Sequence, residues 1–235
     1  MKKLAVFVEG QTEQIFIEKL LIEAAGKSNI TIEKRQASGG QSAKRKLKLI
    51  EASKPDSDHR YFAQIVDCGS DSRVASDIRD RYDGLVAQGF ETIIGLRDVY
   101  PDITHADIPL LRRGLHRYLK TKPIEVKFVL GVMEIETWFI AEYTHLQKLH
   151  SSLTPSLIKS RLGFDPSTDD IQLRPHPTED LDNIYHLAGL KYAKDKNRVQ
   201  RTVSVLDYER IYLELPSIIP DLKALVDTIT KFLTP

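Results

Sequence analysis

Three acids stand where apolar runs stop. Glu9 follows Leu4-Ala5-Val6-Phe7-Val8, Asp67 follows the run from Tyr61 to Val66, and Asp98 follows Thr92 to Leu96 and Arg97. A short apolar run without alternation suits a parallel strand covered on both faces. Parallel strands end on one edge, where open α/β sheets hold their ligands, so acids far apart in sequence can converge there. Carboxylates brought together raise one another's pKa and cost stability unless a cation joins them. Oxygen-only ligands favour Mg²⁺ or Mn²⁺ over zinc. No Cys/His cluster competes for that role, because the single cysteine is Cys68 and the seven histidines are scattered. A second acid lies four positions beyond two of the strand ends, Asp71 after Asp67 and Asp102 after Asp98, and Asp102 joins the candidate ligands. A simpler reading of Glu9 is that it caps the following helix through the helix dipole.

The elements that must position these acids alternate. Gly10 lets the chain turn from the first strand into a helix over 12–25, whose apolar residues make one broad face and which Gly26 stops. A strand nearer an edge is expected over 29–37. After the Ser38-Gly39-Gly40-Gln41-Ser42 loop, the lysines and arginine of 43–51 predict a basic, solvated helix face. Tyr61 to Val66 is the next strand, followed by a helix over 73–88 closed by Gly89, a strand over 92–96, and a helix from Pro109 to about 119. A strand over 124–132 then passes into a helical segment over 133–142. Strand-helix alternation of this kind predicts an α/β fold, a mostly parallel sheet flanked by helices, in a domain covering 1–145. Residues 146–235 read as helices and loops, a helical C-terminal extension packed on that domain.

Val8-Glu9-Gly10-Gln11-Thr12-Glu13 resembles the VEGxTE opening of the Toprim domain, found in topoisomerases, primases and nucleases of the overcoming-lysogenization-defect type. Glu136-Thr137-Trp138-Phe139-Ile140-Ala141-Glu142 resembles the ExWxxA(D/E) segment of small bacterial Toprim-like proteins, some of them associated with phage defence. The resemblance covers residues 3–142. It implies a Toprim-like sheet and metal-dependent phosphodiester chemistry on nucleic acid, with Mg²⁺ or Mn²⁺ as cofactor and Glu9 and Asp98 as catalytic residues. Glu9, Asp67, Asp98, Asp102 and Glu136 are then the candidate metal ligands. The DxD pattern of that family is absent, since Val99 and Tyr100 follow Asp98 and Cys68 and Gly69 follow Asp67. A divalent ion held by Glu9 and Asp98 would polarise a phosphate and lower the pKa of an attacking water, with Glu136 or Asp67 completing the ligand set. Glu9 could instead act outside the coordination shell as a general acid or base.

Net charge is +1 over 235 residues, so no overall field attracts nucleic acid and any contact must come from a local patch. The densest in the tail is KYAKDKNRVQR, which offers Lys191, Lys194, Lys196, Arg198 and Arg201 as phosphate contacts, or simply a solvated face. Arg97 suits an ion pair with a neighbouring acid. The backbone N–H groups of Gly10, Gln11 and Thr12 head a helix and could meet a phosphate oxygen. Trp138 and Phe139 are expected in the core, and Cys68 is expected to be a small buried residue. No apolar run reaches the ~18 residues of a membrane span, and the lone cysteine fits a reducing cytoplasm. The chemistry therefore divides between a nuclease-like enzyme, in which a partner ATPase is the protein partner considered, and a catalytically degenerate binding or regulatory module. A nucleotide-binding protein is disfavoured by the lack of GxGxxG and GxxxxGK[ST].

Overall fold

The structure, a computed structural model, describes residues 1–40, 45–54, 56, 58–100, 103–117, 119–120 and 122–234. The chain begins with β1 (Lys2–Val8), α1 (Gln11–Ala25), β2 (Ile30–Ser38), β3 (Lys46–Ala52), β4 (Tyr61–Asp67), α2 (Asp71–Ala87) and β5 (Thr92–Asp98). It continues through α3 (Ile108–His116), β6 (Val126–Gly131), α4 (Glu136–Ala141), α5 (Thr144–Leu149), α6 (Pro155–Leu162), α7 (Pro177–His186), α8 (Lys196–Val205) and α9 (Pro220–Leu233). The fold is α/β: a six-stranded sheet in the order β3-β2-β4-β1-β5-β6, with helices flanking it.

The apolar runs become strands because both their faces are covered. Every residue of β1 from Leu4 to Val8 is buried. β1 pairs in parallel with β4 on one side and β5 on the other, with Val8 opposite Asp67 and Leu96. The connection through α1 runs from β1 past β4 to β2, and the connection through α2 runs from β4 past β1 to β5. Right-handed crossovers in opposite directions put α1 and α2 on opposite faces, which is why neither face of β1 tolerates a polar alternation. Gln14 in α1 spends its side-chain amide on the carbonyl oxygens of Arg35 and Ile65, which fixes the helix to the strands beneath it. The first turn of α1 is closed by Glu13, whose carboxylate accepts the Gly10 N–H at 2.9 Å, so that N–H is already committed within the chain.

One expected helix is a strand. Residues 46–52 form β3, antiparallel to β2 at the edge of the sheet, with a register shift at Lys34/Arg35. Nearly all of β3 is exposed, so neither face selects apolar residues and the two-residue period that reveals a half-buried strand is missing. Lys46, Lys48 and the bulge are features that keep an edge from pairing with other chains.

The chain packs as two compact units. The first comprises Met1–Arg97, Pro109–Val129 and Leu225–Pro235, and the second Asp98–Ile108 and Leu130–Ala224. In the second, α4 packs on α7 and on the 3₁₀ turn Ile171–Leu173, α5 on α8, and α6 on α7. Trp138 and Phe139 are fully buried there, as the sequence predicts. Glu142 pins this unit together: its carboxylate accepts the backbone N–H groups of Thr144, His145 and Asp207. No helix among the described residues is long and apolar enough to cross a membrane.

Candidate metal centre

Asp98, the last residue of β5, belongs to the second unit. Oδ1 accepts the Ile135 N–H at 2.9 Å. The approach is possible because residue 131 is glycine: a Cβ there would lie 2.4 Å from Asp98 Oδ1 and 2.9 Å from the Ile135 nitrogen. The chain after β6 then turns through Met133 at φ 59, a left-handed conformation uncommon outside glycine. Backbone bonds from Val99 and Tyr100 to the Met133 carbonyl hold the turn against the end of β5. The consequence is that Glu134 before α4 and Glu136 at its start project to the same place as Asp98.

Ligand oxygens of Asp98, Glu134 and Glu136 lie within 4.8 Å of one another, and all three residues are buried. This is a set that could hold a metal ion. Each acid is oriented from behind. Thr178, in the first turn of α7, gives Glu134 its backbone N–H at 2.8 Å and its hydroxyl at 2.7 Å. The Tyr192 hydroxyl donates to Glu136 Oε1 at 2.7 Å from a fully buried ring. Glu136 Oε2, buried and aimed into the cluster, takes no hydrogen bond among the described residues. An ammonium on an exposed side chain faces all three: Lys194 Nζ is 3.1 Å from Glu134 Oε1, 3.4 Å from Glu136 Oε2 and 3.5 Å from Asp98 Oδ2. Burial pushes the Glu134 carboxyl up, but the Lys194 charge and the bonds from Thr178 outweigh it and hold the group below its ordinary range. Among the described residues, the ion pairs of the three acids converge on the Lys194 ammonium, which carries half the charge of a divalent cation.

Of the acids read from the sequence, the structure brings Asp98 and Glu136 together and adds Glu134. Asp102 lies outside the described residues. Glu9 and Asp67 belong to the first unit, at the carboxyl ends of β1 and β4. There Asp67 accepts the Gly69 N–H at 2.8 Å and a longer bond from Gln36, and burial raises its pKa against those bonds. Cys68 is a buried free thiol, and burial pushes its pKa up, which disfavours the reactive thiolate. Arg97 is buried.

The basic segment divides. Lys191 and Lys196 are exposed. Arg198 pairs with Asp195, the residue that caps α8. Arg201 donates to the Lys191 carbonyl and lies 5.6 Å above the Tyr185 ring. Lys194 is the member of the segment that reaches the acids. Glu134 and the Lys194 and Tyr192 contacts escaped the sequence reading. Glu134 carries no local signal, because the left-handed turn at Met133 and the helical conformation of Ile135 set its direction.

No protein-family model matches this chain, and a search among curated proteins finds no significant relative.

Proposed function

We propose that the protein is a metal-dependent phosphoryl-transfer enzyme of nuclease type acting on nucleic acid, with Mg²⁺ or Mn²⁺ held by Asp98, Glu134 and Glu136. The observation that carries this reading is the convergence of three buried carboxylates within 4.8 Å, drawn from β5, the turn after β6 and the start of α4. An all-oxygen set of this kind matches hard divalent ions. Bound there, such an ion would polarise a phosphate ester and lower the pKa of a coordinated water. The chain's own part is orientation: Ile135 N–H fixes Asp98, Thr178 fixes Glu134 and Tyr192 fixes Glu136, so the ligands need little rearrangement. The likeness of 8–13 and 136–142 to Toprim segments supports the substrate class and a role in phage defence beside a partner ATPase. That likeness also gives Glu9, at the end of β1, an acid-base role tested on its own by Glu9→Gln.

One observation favours the alternative of a degenerate binding module. Lys194 already neutralises part of the cluster, as the ion pairs of an inactive relative would. Pure protein incubated with plasmid DNA and single-stranded RNA in Mn²⁺, Mg²⁺ or chelator, beside Asp98→Asn, separates the two. The enzyme reading expects ion-dependent cleavage that Asp98→Asn abolishes. Folded protein that cuts neither substrate in either ion contradicts it and leaves the module.

A further inference from the structure

The geometry points to Lys194 as a displaceable counter-cation: its ammonium holds the cation's place in the metal-free protein, leaves the carboxylates when a divalent ion binds, and thereby sets the affinity of the site. This rests on the reading of Asp98, Glu134 and Glu136 as metal ligands. An acidic cluster alone would not carry it. The second observation is the Glu136 carboxylate, fully buried, with Oε1 satisfied by Tyr192 and Oε2 taking no hydrogen bond among the described residues while facing the cluster.

The ammonium fits the place without fitting any one partner. Its distances of 3.1, 3.4 and 3.5 Å all exceed the ~2.7–2.9 Å of a tight charge-assisted bond, so one cation is shared among three acids. A magnesium-sized ion needs oxygens at about 2.0–2.1 Å. Drawing the same oxygens in to that radius sets the ion beside the ammonium, where the two repel strongly in a buried setting of low effective dielectric. A divalent ion also brings twice the charge of the ammonium it replaces. The exchange is therefore favourable in charge and needs only a route for the side chain.

The route is present. The Lys194 side chain is 37% exposed, whereas the acids it faces are buried. Its backbone is held on both sides. The Tyr192 N–H donates to Asp182, and Asp195 accepts the Arg198 N–H at the start of α8. A pinned backbone with a four-carbon flexible stem lets the ammonium swing toward solvent without unfolding the segment. The same lysine helps the metal-free protein keep three buried carboxylates together, since removing one partner of a buried ion pair is strongly destabilising.

Two readouts on the full chain test this without any activity assay. The first is acetylation of Lys194 in the wild-type protein, followed by mass spectrometry with and without saturating Mn²⁺ and with exposed Lys191 as internal reference. The expected result is a several-fold rise in Lys194 labelling with Mn²⁺ and no change at Lys191. The second is calorimetric Mn²⁺ titration of wild type, Lys194→Met and Lys194→Gln. Removal of the ammonium should tighten Mn²⁺ at least about tenfold, and the metal-free variants should melt earlier and recover with Mn²⁺. Mn²⁺ binding that leaves Lys194 labelling unchanged, or affinities equal to or weaker than wild type in the variants, overturns the exchange while leaving the metal site standing. Absence of Mn²⁺ binding in wild type and both variants overturns the exchange together with the reading beneath it. Should both variants fail to fold, the labelling experiment decides.

Discussion

Each unit of the molecule buries carboxylates, and the two do so on different terms. In the first, Asp77 of α2 is met by the Arg45 guanidinium, with Arg81 3.9 Å away, and Arg45 goes on to bond the carbonyl oxygens of Ala37 and Cys68. Burial still raises the Asp77 pKa, and the two arginines offset that cost. In the second, Asp98, Glu134 and Glu136 share a single lysine. Burial is common to both groups, so burial does not mark a site. The arrangement of charge does: an acid met by two guanidiniums is structural, whereas three acids whose described ion pairs converge on one ammonium are arranged for a further cation.

The widest separation between the two regions should come from breaking the balanced pair. Arg45→Met leaves Asp77 buried without its main partner and should cost about 3–5 kcal/mol by denaturant unfolding, with Mn²⁺ binding unchanged in the protein that remains folded. A comparable loss of Mn²⁺ affinity would erase the distinction. Next comes a pair of glycines. Gly131→Ala puts a Cβ into Asp98 Oδ1, and Gly95→Ala puts one 2.6 Å from the Phe128 ring. Both should cost about 1–3 kcal/mol from overpacking, but only Gly131→Ala should weaken Mn²⁺ binding, read by calorimetry beside thermal melts. Tyr192→Phe removes the bond to Glu136 Oε1 and should cost about 1–2 kcal/mol while lowering Mn²⁺ affinity tenfold or more, as loss of an orienting partner does.

The smallest effect is one of pH. Glu134 has a folded pKa below its ordinary 4.5, so it contributes stability that is present above pH 4.5 and lost as pH falls through the lowered value. Asp67 and Asp77 shift the other way, so their contribution weakens as pH rises from 3.8 toward their raised values. Urea titrations across the acid range should show that Glu134→Gln flattens the loss of stability below pH 4.5, and that Asp77→Asn does not.

Much of this was legible in the residues, for physical reasons that also explain the gaps. The runs at Leu4–Val8, Tyr61–Val66 and Thr92–Leu96 announced β1, β4 and β5 because strands covered on both faces admit little else. The residues of β3 read as a basic helix because an exposed edge imposes no period on Lys46-Leu47-Lys48-Leu49, and lysines suit either state. Asp98 and Glu136 were recognisable, one from its place at a strand end and the other from a segment that resembles a known motif. Glu134 was not, because its direction depends on the left-handed turn at Met133 and on the absent side chain at Gly131. In the sequence Lys194 reads as a phosphate contact or as part of a solvated face. Its approach to acids 58, 60 and 96 positions earlier is set by how α7, α8 and the segment between them pack, which no local pattern encodes.

Calorimetric titration of the metal-free protein with Mn²⁺, beside folded Asp98→Asn and Glu136→Gln, measures the central claim directly. The expected result is one ion bound per wild-type chain and binding lost in both variants, each of which removes a carboxylate charge while keeping its shape. Wild-type protein that takes up no ion, or variants that bind it as well as wild type, would contradict it.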